Sequence, residues 1–375
     1  MKKFIAGKYV QQREYKSFTP SLINCPFAWE NPQINILLER ARGLLGELNA
    51  YTDFIPDVDF FIKMSVLKEA TDSNRIEGTK TELDDVVLPQ EEIDPDKRND
   101  WEEVRNYRKA MNFAIDKLSE LPLSMRLLRD THKILLAGVH NKHKAPGEIR
   151  RSQNWIGGSS LSDAFFVPPS AEEVSNLLSD LEKFWHNQSL QIPELVRVAI
   201  THYQFETIHP FLDGNGRSGR LLIILQLINA KILKKPVFYM STFFRKHRES
   251  YYDSLSMVRR SNNLDQWITF FLNGVADTAQ HGLKTSKAII ALGREYEEKI
   301  LTLGVRAENA RKLLRFMYSE PIANANWAAE ELNINYPTAN RLLKSLTELG
   351  VIREITGFSR NRFFILEKYL DLFRN

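Results

Sequence analysis

Between two apolar segments the chain reads His209-Pro210-Phe211-Leu212-Asp213-Gly214-Asn215-Gly216-Arg217-Ser218-Gly219-Arg220, its densest run of reactive and turn-forming residues. Gly214, Gly216 and Gly219 let backbone amides approach a ligand closely. The run leads into a segment read as a helix over Arg220–Ile232, whose N-terminus offers unpaired donors and partial positive charge. Arg217 and Arg220 add guanidinium forks that match phosphate oxygens, so the run reads as a cradle for a polyphosphate. Asp213 beside it suits Mg2+, which takes one or two carboxylates and completes its shell with phosphate oxygens and water. His209, at the mouth, is placed to take a proton from an attacking hydroxyl. The same spacing also fits a structural helix-end histidine followed by a tight glycine turn.

Other chemistries fit these residues less well. The glycines spell G-x-G-x-x-G, but the dinucleotide fingerprint needs a preceding strand and a βαβ unit, whereas the segment before the run has helical spacing. No lysine follows the last glycine as in a Walker loop. A metal triad of His202, His209 and Asp213 is disfavoured because Pro210 breaks the helical register and two arginines would repel a bare dication.

His209–Arg220 matches H-x-F-x-[DE]-G-N-G-R-x-x-R at every fixed position, and so resembles the signature of the Fic family. Upstream, Ser73-Asn74-Arg75-Ile76-Glu77-Gly78 is similar to that family's inhibitory motif [ST]-x-x-x-E-[GN], in the class that carries it N-terminal to the core. The resemblance implies a protein adenylyltransferase that moves AMP from ATP to a Ser, Thr or Tyr hydroxyl, its own included, and releases pyrophosphate. It implies His209 as general base and Asp213 as the Mg2+ ligand. Gly214, Asn215, Gly216, Arg217, Ser218 and Gly219 would form the phosphate cradle, and Arg220 would grip the γ-phosphate. Phe211 would be a buried anchor, and Tyr251 and Tyr252 fall where the family contacts adenosine. Glu77, with Ser73, would pair with Arg220 in place of the γ-phosphate and act as a brake. Trp155, Ile156, Gly157 and Gly158 would form a flap that docks an extended target segment by strand addition. Transfer of another phosphate-containing group, and removal of AMP, are alternatives the family leaves open.

The elements that must hold these residues read as mainly α. Helical periodicity runs over Ile34–Leu48, about Asp59–Ile76, Trp101–Leu118, Ser124–Leu136, Ala171–Trp185, Pro193–Tyr203, His247–Arg260 and Leu264–Lys284. Before them the chain reads as an extended leader, and Lys144–Ser170 as a hairpin-like flap. Ten acids between Glu82 and Glu103, around Pro89 and Pro95, read as a solvated loop or linker. From about Glu308 the pattern is helix, short helix, turn, helix and two strands around Gly357, a winged helix-turn-helix. The expected fold is thus a Fic-type helical core with a small β-hairpin flap and a C-terminal winged helix. The expected division is 1–100 leader and inhibitory helix region, 101–285 catalytic core, and 286–375 linker helix and winged helix.

Composition bounds the rest. At 375 residues, 43% apolar and 26% charged, the chain has the make-up of an ordinary globular protein of two to three domains. The longest apolar stretch, Leu221–Ile228, falls well short of the ~20 residues of a membrane span, and the start lacks a signal-peptide core, so no membrane partner and a cytoplasmic location are expected. A single cysteine, Cys25, excludes an intrachain disulfide and a zinc ribbon. A net charge of +4 is too small for nucleic-acid coating by the whole surface. Within the winged helix, Asn340, Arg341 and Lys344 would line one face, with Arg360 and Arg362 on the wing. Yet from Arg306 onward eleven basic residues face eight acids, so a protein or homodimer contact is as compatible as DNA. The rival reading is therefore a nucleotide-sensing DNA-binding regulator.

Overall fold

The computed structural model describes residues 4–26, 28–55, 58–138, 143–357 and 362–374. An antiparallel hairpin of β1 (Gly7–Gln11) and β2 (Lys16–Pro20) stands where an extended leader was expected. The helices that follow are α1 (Gln33–Thr52), α2 (Val58–Ile76), α3 (Leu83–Val87), α4 (Arg98–Leu118), α5 (Met125–Leu135), α6 (Ala171–His186), α7 (Glu194–Ile208) and α8 (Asn215–Asn229). Next come α9 (Ser241–Lys246), α10 (Arg248–Ser261) and α11 (Leu264–Leu301). The architecture is mainly helical, as the periodicity implies.

Two helices lie at the centre, buried on every side although they carry Arg197, His202, Glu206, Arg217 and Arg220. Every α7 residue from Leu195 to Ile208 is buried, and so is nearly all of α8. Several polar groups of the two helices find partners inside the core, as with His202 on the Gly219 carbonyl and the Tyr251 hydroxyl. Around this pair pack α2, α4, α5, α6 and α11, whose apolar faces alternate with charge in the usual amphipathic way.

Two stretches depart from the expected pattern. The acidic stretch from Glu82 is not a solvated linker: it folds into α3 and two short helical turns, and it buries Leu83, Val86, Val87 and Ile93. Acids there serve as caps, with Glu82 and Asp85 forming a reciprocal capping box. Helix α11 continues past Lys284, the expected end of its periodicity, as far as Leu301, and it packs against α1.

The C-terminal elements are α12 (Ala307–Ser319), β3 (Ile322–Ala323), α13 (Ala325–Leu332), α14 (Tyr336–Glu348), β4 (Arg353–Glu354), β5 (Phe364–Ile365) and α15 (Glu367–Arg374). The three short strands form one antiparallel sheet in the order β3-β5-β4. Both β3 and α15 escaped the sequence reading, the first because two residues carry no periodicity. This unit packs on α2 through α12 and α15, with the rings of Phe61 and Phe373 5.9 Å apart. Arg362 donates to the Asn340 side chain at 3.2 Å, and Lys344 lies 3.9 Å from Glu348. Arg360 lies outside the described residues.

Candidate active site

The helix expected to open at Arg220 in fact opens at Asn215, so most of the glycine run is the first turns of α8. Glycine's poor helix propensity argues for a loop there. Close packing overrides it, since a Cβ on Gly216 would lie 2.3 Å from Glu77 Oε1 and one on Gly219 would lie 2.2 Å from Glu206 Oε1. The two glycines are three residues apart, so a single helix face receives two carboxylates. Gly214, in the left-handed region at φ +72°, starts the helix, and the amides of the first turn have no intrahelical acceptor.

His209 sits at the other side of this junction. It ends α7 in a left-handed conformation at φ +51°, unusual for a residue with a side chain, and Pro210 prevents the helix from continuing. Two residues the sequence did not single out hold it there. Arg150 Nε donates to the His209 carbonyl at 2.9 Å, and its Nη2 donates to the carbonyls of Ile208 and Pro169. Asn154 Nδ2 donates to the carbonyls of His209 and Phe211. His209 Nδ1 lies 3.3 Å from the Glu206 carbonyl, which can only accept, so Nδ1 carries the proton and Nε2 keeps its lone pair. Burial, outweighing the Glu206 carbonyl and Glu77, pulls the imidazole down to about 4. At neutral pH the ring is a neutral base.

Phe211 is fully buried, and its ring stacks on His132 at 3.8 Å between centroids and 8° between planes. The Phe211 amide donates to Asn215 Oδ1 at 2.8 Å while Asn215 Nδ2 donates back to the Phe211 carbonyl at 2.9 Å, which fixes the turn. Behind it, His132 Nδ1 accepts from the Gly147 amide at 2.8 Å, so Nε2 is the protonated nitrogen and donates to the Asp213 carbonyl at 2.9 Å. Burial pulls His132 down to about 4, which keeps it in this neutral role.

The charged residues divide between the two sides of α8. Arg217 donates to Glu103 at 2.8 Å and to Asn74 at 3.2 Å, and lies 3.6 Å from Asp213. Arg220 is almost wholly buried. Its Nε donates to Ser73 Oγ at 2.8 Å, and its Nη2 donates to the Ser73 carbonyl at 2.9 Å and to Glu77 Oε1 at 2.7 Å. Burial works against its charge, but Glu77, with smaller help from nearby groups, outweighs that and raises its pKa. Asp213 Oδ1 accepts from the Gly214 amide at 2.6 Å and Oδ2 lies 2.5 Å from Lys144 Nζ. Burial would raise this carboxyl, yet Arg217, Lys144 and the amide together hold it below the ordinary carboxylate value. Among the described residues no three metal-ligating side chains cluster. A single half-exposed carboxylate beside a helix N-terminus fits a hard dication that brings phosphate oxygens with it.

The remaining expected residues scatter. Ser218 is buried, and the Gly219 carbonyl takes a bond from His202 Nδ1 at 3.1 Å. His202 Nε2 is 2.8 Å from the Tyr251 hydroxyl, so neither nitrogen is left for a metal. Tyr251 packs inside the aromatic core, whereas Tyr252 is half-buried with Arg248 over its ring. The flap forms only one bridge, between Ile156 and Phe166, with Trp155 and Phe165 exposed beside it and Gly157 and Gly158 turning at positive φ. Its rear is tied down, since the Phe18 amide donates to the Val167 carbonyl at 2.9 Å and Arg259 stacks on Phe166 at 3.9 Å. Lys144, Arg150, Asn154 and His132 carry no local sequence signal.

Residues 36–116 match the Fic/DOC family N-terminal domain and residues 122–227 the Fic/DOC family domain itself. The chain belongs to the Fic/DOC family. The matched core holds α2, α7, most of α8 and every residue of the His209–Arg220 motif. Among curated relatives, a protein adenylyltransferase Fic from Culex quinquefasciatus is 31% identical over 43% of this chain, and one from Aedes aegypti is 33% identical over 36%. The alignments span only 28% and 24% of those relatives' own length. A Fic family protein from Desulfovibrio desulfuricans G20 superposes with a TM-score of 0.56 at 22% identity, covering 91% of this chain and 98% of that one. A Fic domain containing signaling protein from Bacteroides thetaiotaomicron gives 0.54 at 18%, covering 67% and 98%. These two share the fold. Among the described residues no helix is long and apolar enough to cross a membrane.

Proposed function

We propose that this Fic/DOC chain is a protein adenylyltransferase that transfers AMP from ATP to a hydroxyl side chain, and that Glu77 restrains it. The observation that carries this reading is the carboxylate of Glu77 lying against the first turn of α8 and bonded to Arg220. A helix N-terminus flanked by a buried arginine is an anion site, and Glu77 fills it with the chain's own anion. A nucleotide's terminal phosphate is the competing anion of the right charge.

In this reading His209 Nε2 takes the proton of the target hydroxyl as its oxygen attacks the α-phosphorus. The bond from that phosphorus to the bridging oxygen of the β-phosphate breaks, and pyrophosphate leaves. The left-handed turn at His209, locked by Arg150 and Asn154, aims the imidazole at the mouth of α8. Amides of the first α8 turn and Arg220 hold the phosphates. Asp213 would hold Mg2+, which when bound neutralises charge on the phosphate oxygens. Tyr252 offers a ring edge for the nucleoside, with Tyr251 packed behind it. Trp155, Ile156 and the two glycines present the open side of the flap to an extended target, the other side being covered by β2. We read α12 to α15 as a winged helix from their order of elements and sheet topology.

The test is incubation with ATP labelled on the α- or the γ-phosphate, using wild type, Glu77→Gly, and Glu77→Gly with His209→Ala. Label from the α-phosphate alone, strongest in Glu77→Gly and lost in the double variant, is the expected result. Label from the γ-phosphate would replace AMP transfer with phosphoryl transfer.

A further inference from the structure

Both oxygens of Asp213 are engaged. Its Oδ1 accepts from the Gly214 amide at 2.6 Å and faces Arg217 Nη2 at 3.6 Å, while Oδ2 is held by Lys144 Nζ at 2.5 Å. The amide and Arg217 belong to the α8 entry and are fixed by the fold: Arg217 is buried and pinned by Glu103 and Asn74. Lys144 differs. Its side chain is about one-third exposed, it stands at the start of the flap segment, and among the described residues Asp213 is its only ion-pair partner. A dication bound to Oδ2 would lie about 2 Å from that oxygen, a position that leaves no room for an ammonium on the same lone pairs. Two adjacent cations would also repel. A dication at Oδ2 therefore competes with Lys144 for Asp213.

The place an ammonium displaced from Oδ2 would go is set by charge. A nucleotide held on the α8 amides puts several phosphate oxygens beside Asp213, and a lysine on a four-carbon stem can follow them without backbone movement. We propose that Lys144 is a resident placeholder cation that occupies the metal's seat on Asp213 in the empty enzyme and moves to the phosphates when a metal-nucleotide complex enters. This rests on the adenylyltransferase reading and adds to it a nucleotide-binding residue outside the motif. The exchange keeps the count of charge constant: Asp213 is never left uncompensated, and the incoming tetra-anion gains one more cation than the motif supplies. It also makes the bare protein a poor metal site, so that metal and nucleotide enter together.

The experiment uses the full chain, with Lys144→Met as an uncharged variant of similar length and Asp213→Asn as the site control. Mn2+ binding is followed by electron paramagnetic resonance without nucleotide, and α,β-methylene-ATP binding is followed calorimetrically with saturating Mn2+. Lys144→Met is expected to bind Mn2+ up to about fivefold more tightly than wild type when no nucleotide is present, the worth of a partly exposed ion pair. It is expected to bind the Mn2+ complex of the analogue about tenfold more weakly, through loss of a charge-assisted contact. Unchanged Mn2+ affinity in the variant overturns the placeholder, and unchanged analogue affinity overturns the transfer to phosphate. If wild type fails to bind the complex, or if Asp213→Asn binds it as well as wild type, the nucleotide reading of the site itself falls. A lysine-specific failure with a normal Asp213 control leaves that reading standing.

Discussion

Glu77 Oε1 lies 2.7 Å from Arg220 Nη2, an ion pair whose arginine side chain is 2% exposed and whose carboxylate is 38% exposed. The asymmetry matters more than the distance. Arg220 is fixed inside the core by its two bonds to Ser73, so the movable partner is the glutamate. A ligand that replaced Glu77 would meet a preformed guanidinium and a preformed helix end, with little left to reorganise.

Removing the carboxylate should therefore act on binding. Glu77→Gly is expected to bind a non-hydrolysable ATP analogue roughly tenfold more tightly, as a competing anion worth about 1–2 kcal/mol is withdrawn. The same change should lower unfolding stability by about 1–3 kcal/mol, because Arg220 stays buried with one fewer acceptor. Calorimetric titration and urea unfolding measure the two. Equal analogue affinity in variant and wild type would remove Glu77 as a competitor.

The two glycines of α8 should respond differently to the same methyl group. At Gly216 the added Cβ meets the end of the half-exposed Glu77 side chain at 2.3 Å, which can swing out, and more loosely Arg220 Nη1 at 2.9 Å. At Gly219 it meets Glu206 Oε1 at 2.2 Å and Phe205 Cδ1 at 3.1 Å, both inside the core. Gly219→Ala should cost about 1–3 kcal/mol of stability through overpacking, despite alanine's better helix propensity. Gly216→Ala should cost less and should loosen the Glu77–Arg220 contact. Thermal unfolding of the pair decides it, and an equal or larger loss at Gly216 would contradict this packing.

Motif and periodicity made much of this site legible. His209 closes α7, Asp213 and Arg220 flank the start of α8, and Glu77 bonds Arg220. The start of α8 was misplaced because glycine propensity points one way and long-range packing the other, and packing wins. Lys144, Arg150 and Asn154 were invisible for a different reason. Each acts across 55 to 69 residues of chain on a backbone carbonyl or a single carboxylate, and no local pattern records such a partner. The acidic stretch misled because capping boxes and a solvated linker use the same residue types.

Glu206 gives the fold a measurable pH signature. Burial, with a smaller contribution from Glu77, pushes its carboxyl up to about 7, and Oε1 has no hydrogen-bond partner among the described residues. Because the folded pKa lies above the unfolded value of 4.5, the folded state holds this proton more tightly. That stability is fully present below the unfolded pKa and is lost as pH rises through about 7. Glu206→Gln cannot titrate. Relative to it, wild type should lose on the order of 2–3 kcal/mol between pH 5 and pH 8. Denaturant unfolding of both proteins across that range tests the sign, and parallel pH profiles would contradict it.

Arg150 should matter more to the site than any residue outside the motif. Its guanidinium, 3% exposed, donates to the carbonyls of Ser152, Pro169, Ile208 and His209, and so joins the flap to the end of α7. The Ile208 and His209 carbonyls are among those α7 leaves unpaired at its C-terminus, and no other described cation reaches the His209 carbonyl. Burial pulls the guanidinium down to about 10, still well above neutral, so it remains charged and the bonds are charge-assisted. Arg150→Met keeps the apolar stem and strands the acceptors, at a cost of about 2–4 kcal/mol. The left-handed turn at His209 then loses its clamp, and the imidazole its aim. In the Glu77→Gly background, Arg150→Met is expected to bind the ATP analogue normally and label poorly. A variant that loses analogue affinity in step with labelling would show instead that Arg150 supports the phosphate cradle rather than the base.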